Sequence, residues 1–103
     1  MIKVKVKQDG NYVRFISITG HANYDDYGKD IVCAAVSSIS ITSVNLALKL
    51  DEKKVSYKDE KGYLEINILK TDDTINKVFL NMIDMLKELE KDYKKNIKIT
   101  NIK

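Results

Sequence analysis

Residues 2–8 alternate apolar side chains with lysines, placing Ile2, Val4 and Val6 on one face of an extended segment and Lys3, Lys5 and Lys7 on the other. That period of two predicts a half-buried strand. Asp9, Gly10 and Asn11 supply the backbone freedom of a tight turn, and residues 12–19 resume the alternation with Val13, Phe15 and Ser17 opposing Arg14, Ile16 and Ile18. The two segments are expected to pair as a hairpin. From residue 20 to 29 the pattern stops in a polar loop of turn formers, Asn23, Asp25, Asp26 and Gly28. It carries Tyr24 and Tyr27, at least one of which is expected to fold back over the core.

Asp30 has the chemistry of a helix N-cap, and a helix is predicted from there to about residue 50. Val32, Ala35, Val36, Ile39, Leu46 and Leu50 define one apolar side, while Ile41, Val44 and Leu48 lie elsewhere on the wheel. A helix apolar on more than one side is buried on more than one side. Ser37, Ser38, Ser40 and Ser43 allow close approach, so the second face predicts either another helix or a second copy of the chain, and a homodimer is expected.

Residues 53–57 and 63–69 flank Asp59-Glu60-Lys61-Gly62 and read as a second hairpin. Residues 71–73 offer capping side chains ahead of Ile75, Val78, Phe79, Met82, Ile83, Leu86, Leu89 and Tyr93. These form one apolar stripe, opposed by Asn76, Lys77, Asp84, Lys87 and Glu88. Met82 and Met85 read as gap-filling core residues, and residues 96–102 as a closing strand. The fold class is therefore α+β: one small domain over residues 1–103, two helices packed on a mixed sheet, order ββαββαβ. The pattern leaves the strand order open.

A 44% hydrophobic and 32% charged composition fits a soluble globular chain with a small core. The net charge of +3 comes from 17 lysines and a single arginine, Arg14, interleaved with acids along the chain. That spread reads as a solvated surface, and direct nucleic-acid binding is not expected. One cysteine excludes an internal disulfide, and nothing at the start resembles a signal peptide, so the expected compartment is the cytoplasm. Residues 31–48 carry no charge, yet serines, a threonine and an asparagine interrupt the run, and no membrane span is expected.

The only histidine, His21, and the only cysteine, Cys33, flank the polar loop. Cysteine attacks as its thiolate, which the N–H groups and dipole at a helix start favour. His21 has the chemistry of a general base or of a thiolate's imidazolium partner, and backbone N–H groups near the helix start are expected to hold an oxyanion. Asp30 has two roles open to it, helix cap and orienter of the imidazole. Its charge opposes a thiolate and favours a charged histidine. Ser37, one turn beyond Cys33, either polarises a substrate group or bonds back to the carbonyl of Cys33. Gly20 and Gly28 are either loop hinges admitting an extended peptide or ordinary turn residues. Against this stand a Cys33 that is merely a small buried hydrophobe and a His21 without a task. A zinc site lacks two ligands, no phosphate loop or paired-cysteine motif occurs, and neither metal nor cofactor is called for.

Gly20-His21-Ala22, then Gly28, then Asp30-Ile31-Val32-Cys33-Ala34-Ala35-Val36-Ser37 resembles the signature of the ribosomal-processing cysteine protease family, Prp. Chain length and element order extend that resemblance to the whole sequence. It implies a small cytoplasmic bacterial endopeptidase, working as a homodimer, that removes a short N-terminal extension from large-subunit ribosomal protein twenty-seven. It further implies Cys33 as nucleophile and His21 as base, with Asp30 and Ser37 at supporting positions, acting on an apolar, aromatic-containing peptide. The competing reading is a non-catalytic ribosome-assembly or RNA-associated module whose lysines contact phosphate. Its binding would fall steeply with salt and ignore Cys33→Ala.

Overall fold

The computed structural model describes residues 1–26 and 30–102, so Tyr27 and Gly28 lie outside the described residues. Its elements run β1 (Ile2–Asp9), β2 (Tyr12–Thr19), α1 (Ile31–Asp51), β3 (Val55–Glu60), β4 (Tyr63–Ile68), α2 (Asp73–Asp92) and β5 (Ile97–Ile102). The expected order ββαββαβ holds. The five strands make one sheet in the order β3-β4-β2-β1-β5, antiparallel throughout except for β1 beside β5. Both helices pack over one face of it and against each other.

β1 behaves as its alternation dictates: Ile2, Val4 and Val6 are buried and the three lysines exposed. β2 does not keep its expected faces. Val13, Ile16 and Ile18 are buried together, because a bulge between Lys7 and Gln8 shifts the register from Lys7↔Phe15 to Gln8↔Val13 and leaves Arg14 as the extra residue. An extra residue reverses the face of everything beyond it. The Val13 N–H donates to Asn76 Oδ1 at 2.9 Å, and Asn76 Nδ2 donates to the Asn11 carbonyl at 2.9 Å. Asn76 is thus a staple between hairpin and helix rather than a solvent-facing residue of α2.

α2 buries Ile75, Phe79, Met82, Ile83 and Leu86, the centre of the expected stripe, while Met85 is exposed. Asp72 caps it by accepting from the Ile75 N–H and also pairs with Lys54. α1 departs further. Its inward line is Val32, Val36, Ser40, Ser43, Val44 and Ala47, whereas Leu46 and Leu50 are each 48% exposed. Small side chains on the inward line let α1 lie close to the layer beneath it, and the leucines fall on an adjoining stripe. At the far edge of the sheet, Glu90 Oε2 accepts the Ile99 N–H of β5, covering a donor that an edge strand would otherwise leave open.

Candidate active site

Asp30 sets the geometry. It is the N-cap of α1, with Oδ1 accepting from the N–H groups of Val32 (2.9 Å) and Cys33 (3.0 Å). Its other oxygen, Oδ2, accepts from the loop N–H groups of Tyr24 (2.9 Å) and Asp25 (3.3 Å) and lies 3.9 Å from His21 Nδ1. Cap and loop anchor are therefore one carboxylate seen from two sides. Burial pushes this carboxyl up, but the backbone donors of Cys33, Tyr24, Asp25 and Val32 together outweigh it and hold it below its ordinary value. A carboxylate is retained at low pH where most would protonate.

The loop is fixed at its start by Gly20. Its φ of +93° is in the range that favours glycine, and a Cβ there would sit 2.5 Å from the Met1 carbonyl oxygen. Its N–H donates to the Gly62 carbonyl at 3.2 Å, tying the loop to the turn between β3 and β4. Gly20 thus has a close-approach reason for being glycine beyond any hinge motion. Ala22 follows, buried, with its N–H on Cys33 Sγ at 3.3 Å and its carbonyl accepting from Asn96 Nδ2 at 2.9 Å. Asn23 adopts φ +57°, which turns its N–H back to donate to His21 Nδ1 at 3.0 Å. The same Nδ1 lies 3.2 Å from Asn23 Oδ1, so Asn23 can meet either neutral ring, its N–H serving the tautomer protonated at Nε2 and its Oδ1 the tautomer protonated at Nδ1. Tyr24 packs edge-on against Tyr93 at the end of α2, ring centroids 5.3 Å apart, but stays 48% exposed rather than folding over the core.

Across the loop, one heteroatom each from His21, Asp30 and Cys33 lies within 4.8 Å of the others. The three residues singled out for chemistry are brought together. The expected oxyanion donors are not: Asp30 Oδ1 occupies the Val32 and Cys33 amides, and its carbonyl takes the Ala34 N–H at 3.0 Å. What Cys33 receives instead is the Ala22 amide, a donor from the loop. The sequence carried no sign of this, because it depends on where the chain passes rather than on a side chain.

Ser37 is exposed and shares a cleft of about 650 Å³ with Gly20, His21, Asp30, Cys33, Ala34, Lys61 and Gly62. Among the described residues its hydroxyl makes no bond back to the Cys33 carbonyl, whereas Ser43 donates to the Ile39 carbonyl at 2.7 Å. Lys61 and Gly62 were legible only as turn residues, and their place at the cleft follows from the hairpin lying beside β2. An adjoining groove of about 320 Å³ runs from Cys33 between α1 and the end of the second hairpin.

His21, Asp30 and Cys33 match zinc ligands in kind. Both Asp30 oxygens, however, already accept two backbone N–H groups each, so coordination there would uncap the helix or release the loop. The donor set fits hydrogen-bonded acid-base chemistry better than a metal.

Residues 1–98 match the family described as Cysteine protease Prp. The chain is 30% identical over 101 residues to the ribosomal processing cysteine protease Prp of Staphylococcus aureus, covering 95% of this chain and 94% of that one. It is also 30% identical over 90 residues to the protein of that name from Bacillus subtilis, covering 81% and 80%. The structure superposes with a TM-score of 0.93, at 28% identity and over 99% and 100% of the two chains, on the crystal structure of the S. aureus protease in complex with a covalently linked product peptide.

Proposed function

The chain belongs to the Prp family of cysteine proteases, and from that premise we propose that it removes the N-terminal extension of large-subunit ribosomal protein twenty-seven in the bacterial cytoplasm, with Cys33 as nucleophile and His21 as base. The observation that carries the reading is the clustering of His21, Asp30 and Cys33 heteroatoms within 4.8 Å at a cleft. His21 takes the thiol proton, and the Cys33 sulfur attacks the scissile carbonyl carbon. The Ala22 N–H, directed at Sγ, is the amide placed to follow the charge as it moves from sulfur to the carbonyl oxygen. His21 then returns the proton to the leaving amine, and water releases the acyl group from sulfur.

Asp30 and Ser37 support this chemistry in different ways. Asp30 holds loop and helix in register and keeps a negative charge near the imidazole. Ser37 offers a hydroxyl to the bound peptide. Gly20 is the fixed end on which the loop turns. Residues 1–103 act as one domain and associate as a homodimer through the apolar stripe that α1 leaves exposed. No cofactor enters any step.

Incubating the protein with the extended ribosomal protein and following the product mass tests the proposal. Loss of a short N-terminal peptide is expected. Undiminished cleavage by Cys33→Ala, or intact substrate after incubation with the unaltered protein, would overturn it.

A further inference from the structure

The lysines are spread along the sequence, which argued against a nucleic-acid surface, but the fold gathers them in space. Both helices lie on one face of the sheet, and among the described residues no element covers the other. That open face is divided by charge. Lys3, Lys5 and Lys7 stand in a row along β1, and Lys98 of β5 is level with Lys3. At one end of the row Lys7, Arg14 and Phe15 line a recess of about 590 Å³. At the other, Lys98 borders a recess of about 490 Å³ shared with Lys87, Lys91 and Lys94. All of these cations are exposed, and none belongs to an ion pair among the described residues. Asp9 lines the first recess, while Glu90 in the second is engaged by the Ile99 N–H. The other acids of this face stand apart on β3 and β4, where Lys58 pairs with Glu60 and the Tyr63 hydroxyl donates to Glu65.

We infer that the β1–β5 half of the open sheet face binds single-stranded RNA, with phosphates along the lysine row and a base stacked on Phe15. Lysines two residues apart on a strand are separated by about 6.6 Å in a straight line, a spacing suited to the successive phosphates of an extended strand. Unpaired ammonium groups gain most from a polyanion, because binding releases its counterions. Phe15 is half-buried on the same face, level with Lys7 and beside Arg14. Aromatic rings among cations on an open sheet are a recurrent way of holding unpaired bases. An acidic protein or an anionic lipid surface would match the charges but give the ring nothing to stack on. The acids on β3 and β4 border the basic half, so the strand runs along β1 rather than across the sheet. None of these residues lines the cleft or the groove at Cys33, and the inference does not depend on the peptidase reading.

Fluorescence anisotropy with a labelled oligouridine of about twelve nucleotides tests this, over a salt series starting near ~50 mM. The unaltered chain should bind with a Kd of about 1–100 μM and a slope of log affinity against log salt of about −3, as four or five phosphate contacts give. Replacing Lys3, Lys5 and Lys7 together by glutamine should weaken binding about tenfold or more and flatten the slope to about −1, at about 0.7 per phosphate. Replacing Lys49, Lys53 and Lys77, which removes the same charge from the end of α1 and from α2, should change affinity by less than about twofold. Phe15→Leu should weaken binding about fivefold or more with the slope unchanged, because stacking carries no charge. Phe15→Tyr keeps the ring and should bind as the unaltered chain does, which separates lost stacking from a folding defect. A Kd above this range, a slope indifferent to the β1 substitutions, an equal loss from the Lys49, Lys53 and Lys77 set, or a Phe15→Leu chain that binds normally overturns the inference. So does equal affinity for duplex RNA of the same length, or for phosphatidylcholine vesicles with about one-third phosphatidylglycerol, since neither offers an unpaired base.

Discussion

Asp30 shows how much one side chain carries. Asp30→Asn keeps an oxygen to cap Val32 and Cys33, but it turns an amide toward the N–H groups of Tyr24 and Asp25, donor against donor. The helix should hold while the loop is released: unchanged helical circular dichroism, faster hydrogen exchange at Tyr24 and Asp25, and peptide cleavage down about tenfold or more. The pH dependence has a fixed sign. The folded carboxyl titrates below its ordinary value near ~3.9, so the unfolded chain binds the proton more readily. Its stabilising contribution is complete above that value and is lost as pH falls through the lower folded value. An acid-denaturation series should show a shallower acid limb for Asp30→Asn than for the unaltered protein. His21→Ala should lower cleavage by about 10²–10⁴-fold while leaving the melting temperature nearly unchanged, because the ring is a partly exposed loop group. A His21→Ala chain that cleaves normally would remove the histidine from the mechanism. The residue types needed here were all legible in the sequence, but the Ala22 amide was not. A backbone donor leaves no trace in a side-chain pattern.

Among the elements, legibility followed the regularity of the period. α2 could be read almost residue by residue, since a single apolar stripe fixes which face turns inward. β2 could not, because the alternation that identified the strand says nothing about the bulge that reversed its far half. The same bulge explains Asn76. Its amide bonds the Val13 N–H and the Asn11 carbonyl, two groups at the end of the first hairpin that the irregular ladder leaves to be satisfied by a side chain. Asn76→Ala should therefore destabilise the chain by about 1–3 kcal/mol, although it lies on the polar side of its helix by pattern. For a domain of this size that is a fall of roughly 4–8 °C per kcal/mol in thermal midpoint. Asn76→Asp, which keeps an acceptor for Val13 but loses the donor to Asn11, should fall between the two. An unchanged midpoint for Asn76→Ala would show that water replaces the amide at no cost.

At the scale of the whole molecule, α1 is the element that leaves three large apolar side chains exposed, Ile31, Leu46 and Leu50. It is long and apolar enough by length and composition to cross a membrane, yet its inward line lies on the sheet and α2 with two serines buried in it. Only 28% of its most apolar window is buried within the chain. The remainder includes Ala35, Ile39, Leu46 and Leu50, at i, i+4, i+11 and i+15 on one stripe beside the buried one. The sequence merged these two stripes into one side of the wheel, because apolar character alone cannot distinguish a face covered by the same chain from one covered by another. This contiguous uncharged stripe is the surface through which the proposed homodimer would associate. Replacing both Leu46 and Leu50 by lysine should weaken homodimerisation by about a hundredfold or more, since each leucine contributes roughly 1.5–3 kcal/mol when fully buried and its replacement is charged. Sedimentation should then report the monomer mass, with circular dichroism and melting close to the unaltered chain, because neither leucine belongs to the intrachain core. The stripe begins at Ala35, two residues from Cys33, so a partner seated on it borders the catalytic cleft. Cleavage should therefore fall on dilution of the unaltered protein in step with dimer dissociation. A double-lysine variant that stays dimeric would place the association surface elsewhere on the fold.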